Sequence, residues 1–438
     1  MTLISGCGGK VATVSSGADA LGSTQQPDSG SDVGPSAIDG SVGLTDAGLD
    51  SIGSETVVDS STTTPSTATA YLIDPNHTGT QPHDALTLPL VQRWSVGFDG
   101  TPSYPLIVDG RVFVLVSNVV VGEPNAVFTV DVRALSIDDG STLWGPTSIG
   151  GVNPLNGGIA YDHGRLFLKN QDGAVSALDP ATGSQLWVTT IPGALGTCFS
   201  PPTASNGILV SACDDVVYAF DETTGAVLWH TMGDQGYSGP IVTDTSVFVT
   251  TRCMYIYDYA ATTGAVLWHL DSDCSGFGVG ALGDGGGWIS SLIDGKVYTR
   301  DGSNPATIFD PATGASFGTY AAMFGVVGGG GTVYLVTNDL DGNSVVTARD
   351  SSTQTATWTY TDRLGNVGVP LVVGHDVVVG STSGFVTVLS AIDGTTKSSI
   401  QTGQEIQQPS QQFEGLAVAM AEAEDRLLVP AGKYLLAY

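Results

Sequence analysis

The feature of the sequence that most constrains its fold is a short phrase that recurs about every forty residues. It reads LDPATGSQLW at 178–187, FDETTGAVLW at 220–229 and YAATTGAVLW at 259–268, and fainter copies end at Trp144 and Trp358. A tight turn between two apolar runs, repeated at a fixed period, is typical of a supersecondary unit that stacks on copies of itself. The chain is therefore predicted to be an array of such units.

The turn within the phrase has a physical explanation. An Asp ends a run of alternating apolar residues, and a Thr-Gly pair follows three or four residues later. Asp accepts hydrogen bonds from the backbone just downstream, and Gly adopts positive φ at little steric cost, so the phrase predicts a hairpin between two strands. The glycines at this position are Gly183, Gly225, Gly264 and Gly314.

A tryptophan follows the turn in most copies of the phrase. These residues are Trp144, Trp187, Trp229, Trp268 and Trp358, and Trp94 lies in the similar run QRWSV. Burying an indole removes roughly 150–250 Å² from water. A Trp that returns once per unit is therefore predicted to pack between successive units; an aromatic ligand box is the alternative.

The strand count predicts a closed ring. Seven units follow Trp94, and the chain then ends on the three apolar runs LAVAMA, RLLVP and KYLLAY. One spare strand at the start and three at the end make one further unit, and closure removes the exposed edges of an open array. We therefore expect an all-β fold, an eight-bladed β-propeller of four-stranded antiparallel blades closed by the N-terminal strand, with seven blades as the alternative.

The region before the propeller has a different composition. The opening MTLISGC resembles a bacterial lipobox, which makes Cys7 the expected site of lipid attachment and residues 1–7 a remnant of an export signal. Residues 8–87 are rich in Ser, Thr, Gly and Asp, so they are predicted to be a disordered linker. The propeller domain is expected to cover 88–438.

The charge restricts the possible partners. With only 14 Lys and Arg, the formal net charge is −29, which repels a phosphate backbone. Nucleic acid is therefore not expected as a partner, and contact with a membrane is expected through the lipid anchor only. We therefore expect a monomeric propeller that binds an envelope protein.

The repeat resembles that of the quinoprotein-type, PQQ-like propellers. The pattern ALDxxTGxxLW carries this resemblance, which covers roughly 88–438; the family holds PQQ-dependent alcohol dehydrogenases and the assembly lipoprotein BamB. The dehydrogenases stack PQQ over adjacent cysteines beside a calcium ion. This chain has no Cys-Cys pair, and no residue matches that site. The Asp, Gly and Trp of the repeat are structural, so they are specific for the fold and not for an activity.

Four further cysteines are Cys198, Cys213, Cys253 and Cys274. Cys198 precedes the first strand of the third unit and Cys213 ends its second, so in an antiparallel hairpin the two lie side by side. Cys253 and Cys274 form the second candidate pair. An even number in an exported chain favours disulfides, and metal binding by these cysteines is the alternative.

Other candidate sites are weaker. Asp339, Asp341 and Asn343 have the alternate spacing of a calcium loop but lack its glutamate, so a plain turn is expected. No histidine lies at ligand spacing from another within a unit.

The resemblance implies a non-catalytic, lipid-anchored scaffold at the outer membrane, on the periplasmic or surface side, that presents its rim and central funnel to a protein and needs no cofactor. The alternatives are an alcohol or sugar dehydrogenase with PQQ and calcium, and a carbohydrate-binding or envelope-sensing module.

Overall fold

The computed structural model describes residues 11–12, 65–120, 127–149, 157–192, 194, 198, 200–213, 216–232, 238–250, 256–270, 290–299, 306–407 and 418–438. The chain divides into a unit of residues 1–13 and 65–438 and a unit of residues 14–64. Every described residue belongs to the first unit. Within these ranges, the chain has no helix with the length and apolar character that a membrane crossing requires.

Eight antiparallel sheets follow one another along the chain, and each is one blade of a propeller. The first strand of each blade lies at the centre of the ring, where neighbouring first strands contact one another. Blade 1 contains Thr101–Pro102 and Leu106–Val108 at its inner edge, then Arg111–Val120, Val127–Ser136 and Thr142–Ser148. Blade 2 contains Gly158–Asp162, Arg165–Lys169, Ala174–Leu178 and Gln185–Thr190.

The next three blades repeat this order from the centre outward. Blade 3 contains Thr203–Ser205, Ile208–Cys213, Val216–Asp221 and Val227–Met232. Blade 4 contains Ile241–Val242, Ser246–Thr250, Ile256–Ala260 and Val266–Leu270, with Val11–Ala12 paired outside the last. Blade 5 contains Ser291–Ile293, Lys296–Tyr298, Ala306–Phe309 and Ser316–Tyr320.

The last three blades complete the ring. Blade 6 contains Val327–Gly329, Thr332–Asn338, Ser344–Asp350 and Ala356–Asp362. Blade 7 contains Leu371–Val373, Asp376–Gly380, Phe385–Ser390 and Thr396–Gln401, with Thr80–Gln81 paired in parallel at its inner edge. Blade 8 contains Ala421–Ala423, Arg426–Ala431, Tyr434–Ala437 and the N-terminal strand Trp94–Gly97.

Blade 8 joins the two ends of the propeller. Trp94 pairs with Ala437 and Gly97 with Tyr434, so the N-terminal strand forms the outer edge of a sheet built from the C-terminal residues. The eight-bladed, closed architecture expected from the strand count is thereby confirmed, and the seven-bladed alternative is wrong.

The tryptophans lie between blades. Each indole Nε1 donates a hydrogen bond of 2.8 to 3.0 Å to a backbone carbonyl in the next blade: Trp94 to Ile137, Trp144 to Pro180, Trp187 to Glu222, Trp229 to Ala261, Trp268 to Pro311 and Trp358 to Ala391. The turn glycine of that next blade faces the ring, where a Cβ would lie 2.5 to 2.9 Å from indole atoms. Indole and glycine therefore form one contact that belongs to two blades.

Blades 5 and 7 lack the tryptophan. In each case the blade that follows also lacks the turn glycine that an indole would contact. Blade 5 has Phe317, which is 53% exposed, and the facing turn of blade 6 has Gln354 at φ 60° instead of glycine. Lys296 Nζ there donates to Ser351 O at 2.6 Å, which replaces the bond from an indole. Blade 7 has Lys397, which pairs with Asp376. The blade that follows it joins its last two strands across the chain ends, so no turn is present for an indole to contact.

Candidate functional site

The central channel of the propeller is filled by residues 66–81, which we call the channel segment. Backbone hydrogen bonds of 2.8 to 3.1 Å join it to the first strands of six blades: Ala68 to Ile107, Thr69 to Tyr161, Pro75 to Val242, Asn76 to Leu292, Thr78 to Gly328 and Gly79 to Val372. Side-chain bonds of His77 and Gln81 reach the remaining two, at Thr203 and Glu422. The segment thus contacts all eight blades.

The backbone contacts follow the order of the blades, and the side chain of His77 reaches back to blade 3, so the segment makes one circuit of the channel. It starts at blade 8, where Ser66 Oγ accepts a hydrogen bond from Glu424 N at 3.0 Å, and it returns there at Gln81. The amide of Gln81 donates to both Glu422 O and Thr67 O, at 2.7 and 2.8 Å. Gln81 therefore joins the two ends of the circuit to each other and to blade 8.

The side chains of the segment occupy the interior. Ala68, Tyr71 and Leu72 are each at most 3% exposed, and Tyr71 packs edge to face on Tyr104 of blade 1 with ring centroids 5.1 Å apart. Gly79 has φ 60°, and a Cβ there would lie 2.4 Å from Val327 Cγ1. Only glycine allows this approach. Any side chain would collide with the first strand of blade 6, and a residue with a Cβ is also disfavoured at this positive φ.

His77 is fully buried within the segment. Its Nδ1 lies 3.0 Å from Ser290 O and its Nε2 lies 3.3 Å from Thr203 Oγ1. A carbonyl oxygen can only accept, so Nδ1 carries the proton and Nε2 accepts from the hydroxyl. Burial lowers the pKa of His77 to about 4, because the charged imidazolium would lose its hydration there. A neutral histidine thus joins blades 3 and 5.

A pair of carboxyl groups lies where the segment leaves the channel. Both oxygens of Glu422 and Oδ2 of Asp84 are buried without a hydrogen-bond partner. Burial, followed by the neighbouring Asp84, raises the pKa of Glu422 to about 9. Glu422 is therefore protonated and neutral near pH 7, beside the carboxyl group of Asp84.

These observations correct two expectations. The predicted linker of residues 8–87 does not extend to Thr87, because residues 65–87 belong to the propeller unit and much of that stretch is buried. The central funnel is not open for a partner, because the chain itself fills it. A quinone does not fit a channel that is occupied in this way.

The cysteine expectations have mixed outcomes. Cys198 and Cys213 form a disulfide between the entry to blade 3 and the end of its second strand. Cys253, Cys274 and Cys7 lie outside the described residues.

The calcium-loop candidates form a turn. The backbone N–H groups of Asp341 and Asn343 both donate to Asp339 Oδ1 at 2.9 Å, and Asn343 Nδ2 donates to Asp339 Oδ2. The carboxylate of Asp339 is therefore engaged within its own hairpin. Among the described residues, one group of three side chains has the spacing that a metal ion requires: Asp162, His163 and Glu222. The sequence did not reveal it, because Glu222 lies 59 residues from His163.

The fold and its repeat define the class of the protein: a closed, eight-bladed quinoprotein-type propeller of indole-docked blades. The model of the family described as outer membrane protein assembly factor BamB matches residues 129–255 and 252–434, and the chain belongs to this family.

Relatives and solved structures agree with this assignment. BamB of Burkholderia pseudomallei is 27% identical over 344 residues, which is 72% of this chain and 81% of the relative. A tetrathionate hydrolase of Acidithiobacillus ferrooxidans is 31% identical, but that match spans only 22% of either chain. The crystal structure of BamB from Moraxella catarrhalis has a TM-score of 0.57 at 18% identity, covering 79% of this chain and 96% of that one.

Quinoproteins share the fold as well. The quinohemoprotein alcohol dehydrogenase of Comamonas testosteroni has a TM-score of 0.62 at 14% identity, covering 85% of this chain and 80% of that one. At this identity the likeness shows the architecture alone.

Proposed function

We propose that the protein is a non-catalytic scaffold of the cell envelope, exported and attached to the outer membrane through a lipid on Cys7, that binds other envelope proteins. Membership in the BamB family supports this role, because the family is described as an assembly factor for outer membrane proteins. The chain between Cys7 and the channel segment would act as a linker, apart from the strand Val11–Ala12, which pairs with blade 4. The net charge of −29 favours a protein partner over nucleic acid.

The observation that carries the proposal is the occupied channel. A quinoprotein needs an open central cavity for its cofactor, whereas here His77 and Ala68 are fully buried and bonded to the surrounding strands. Displacing the segment would break contacts with all eight blades at once. A partner protein would therefore bind the outer surface of the propeller and not its central channel.

A PQQ-dependent alcohol or sugar dehydrogenase is the second candidate, because a quinohemoprotein alcohol dehydrogenase has the same architecture. The purified protein would be incubated with PQQ and calcium, passed through a gel-filtration column and assayed for dye reduction with alcohols and glucose. We expect no quinone absorbance in the protein peak and no turnover. Retained quinone together with turnover would overturn the scaffold proposal.

The proposed partner binding and lipid attachment can be tested in the native host. Crosslinking and affinity purification of the full chain should recover an envelope protein, and Cys7→Ala should release the chain from the membrane fraction. Fractionation that leaves the C7A chain on the membrane would contradict lipid attachment at this residue. Recovery of cytoplasmic proteins alone would contradict the envelope role.

A further inference from the structure

Three potential metal ligands meet on the face of the ring that carries the turns between first and second strands. Asp162 and His163 form such a turn in blade 2, and Glu222 follows the third strand of blade 3. We propose that Asp162, His163 and Glu222 bind a divalent transition-metal ion, with zinc as the best match, that bridges blades 2 and 3.

The distances between the ligand atoms fit this assignment. His163 Nδ1 lies 3.1 Å from Asp162 Oδ2 and 3.2 Å from Glu222 Oε2, and all three atoms lie within 4.8 Å of one another. Ligands bound to tetrahedral zinc at about 2.0–2.2 Å are themselves roughly 3.3 Å apart. One imidazole nitrogen with two carboxylate oxygens suits zinc, whereas calcium takes oxygen ligands.

Glu222 gives an independent reason for a cation at this position. The residue is 2% exposed, yet its Oε1 has no hydrogen-bond partner. A buried carboxylate beside a second carboxylate is unfavourable unless a positive charge lies between them. A metal ion would replace the proton on His163 Nδ1 and neutralise both groups.

The repeat shows that the propeller does not require this carboxylate. Glu222 occupies the position whose carbonyl accepts the indole hydrogen bond, and Trp187 donates to it at 3.0 Å. The equivalent residues in other blades are Ile137, Pro180, Ala261, Pro311, Ser351 and Ala391. Only the backbone carbonyl is shared, so indole docking does not account for a glutamate here.

The site is rigid on one side and open on the other. Glu222 N donates to Gly207 O at 3.2 Å, which holds the backbone of this residue against the turn between the first two strands of blade 3. Asp162 Oδ1 accepts from His163 N at 2.9 Å, which leaves Oδ2 directed at the other ligands. The side chain of His163 is 60% exposed, so the remaining coordination positions can hold water or a carboxylate of a bound partner.

The test is a titration of the full, untagged chain after removal of metals with a chelator. Calorimetry with Zn²⁺ should show one site, and Ca²⁺ at equal concentration should not compete. Glu222→Ala and His163→Ala should each weaken binding by at least about tenfold, the size of effect seen even for outer-shell partners of metal ligands. The change E222A introduces the residue that blades 4 and 7 already carry, so the variant should fold.

The matched control is His375→Ala. His375 is an exposed histidine in the corresponding turn of blade 7, and this change should leave zinc binding as in the parent. A Co²⁺ titration provides the second readout, because thiolate ligands give an intense charge-transfer band that nitrogen and oxygen ligands do not. Equal affinity in H163A, E222A and the parent would overturn the proposal, as would the absence of any zinc site or a thiolate band.

Discussion

At the scale of single residues, the contact between blades requires two residue types at once. A turn glycine with positive φ lets an indole approach its backbone, and the indole then bonds the carbonyl three residues before that glycine in the same turn. The turn of blade 6 has Gln354 in place of glycine, and it faces blade 5, which has Phe317 in place of tryptophan. Glycine and tryptophan are therefore kept or lost as a pair.

This pairing gives a prediction for Gly264. The residue has φ 68°, and a Cβ would lie 2.6 Å from the ring of Trp229, whereas Gly295 has φ 70° with nothing within 4 Å. Gly295→Ala should lower the free energy of unfolding by about 1 kcal/mol, the cost of alanine at positive φ. Gly264→Ala should cost a further 1–3 kcal/mol or so, because the Cβ also overpacks the indole. Denaturant titration of both variants measures the difference, and equal losses would show that the indole contact is unimportant.

The repeat could be predicted from the sequence because its chemistry is local. Asp, Thr, Gly and Trp stand within ten residues of one another and specify a turn and the strand after it. The metal-ligand group could not be predicted in the same way. His163 and Glu222 are brought together only by the packing of blade 2 on blade 3, and the neighbouring pair Asp162 and His163 does not by itself indicate a metal site.

At the scale of elements, the channel segment is the least predictable part of the fold. Most of its bonds to the blades use its backbone carbonyls, at Thr69, Pro75, Asn76, Thr78 and Gly79. A carbonyl carries no side-chain signature, so the stretch has the same Ser, Thr and Gly composition as a linker. Its apolar residues Tyr71, Leu72 and Ile73 are too few to form a periodic pattern, although they are buried.

The segment should respond to acid through His77. Because the pKa is lowered to about 4 in the folded state from 6.5, the folded protein binds fewer protons than the unfolded chain between these values. Its contribution to stability is therefore present above pH 6.5 and is lost as the pH falls towards 4, by an amount on the order of 3 kcal/mol.

The measurement compares unfolding midpoints from pH 7.5 to pH 4.5. The variant His77→Gln keeps a donor and an acceptor but does not titrate, so it should lose less stability over this range than the parent. His83→Gln, which changes an exposed histidine two residues past the segment, is the control and should follow the parent. Parallel pH profiles for all three proteins would contradict a neutral, buried His77.

At the scale of the whole molecule, the ring is closed twice. The outer closure is the strand of Trp94 in blade 8, and the inner one is the return of the channel segment to Glu422 in the same blade. The outer closure could be predicted by counting strands, because each strand has its own alternating pattern. The inner one could not, because it depends on the diameter of a channel that exists only after the blades have assembled.

Closure at Trp94 should make unfolding cooperative. Trp94 is 7% exposed and bonds Ile137 in blade 1, as Trp229 bonds Ala261 in blade 4. Trp94→Ala and Trp229→Ala should each lower the free energy of unfolding by about 3–5 kcal/mol, the usual cost of removing a buried indole. Both should retain one transition by calorimetry. A separate early transition in W94A alone would show that blade 8 opens independently.

The path of the channel segment also has a consequence for the time course of folding. The segment is synthesised before any blade, yet the groups that hold it extend as far as Glu422, near the other end of the chain. Contacts between residues so distant in sequence form slowly. The segment therefore cannot complete its contacts until blade 8, made from the last described residues of the chain, has been synthesised.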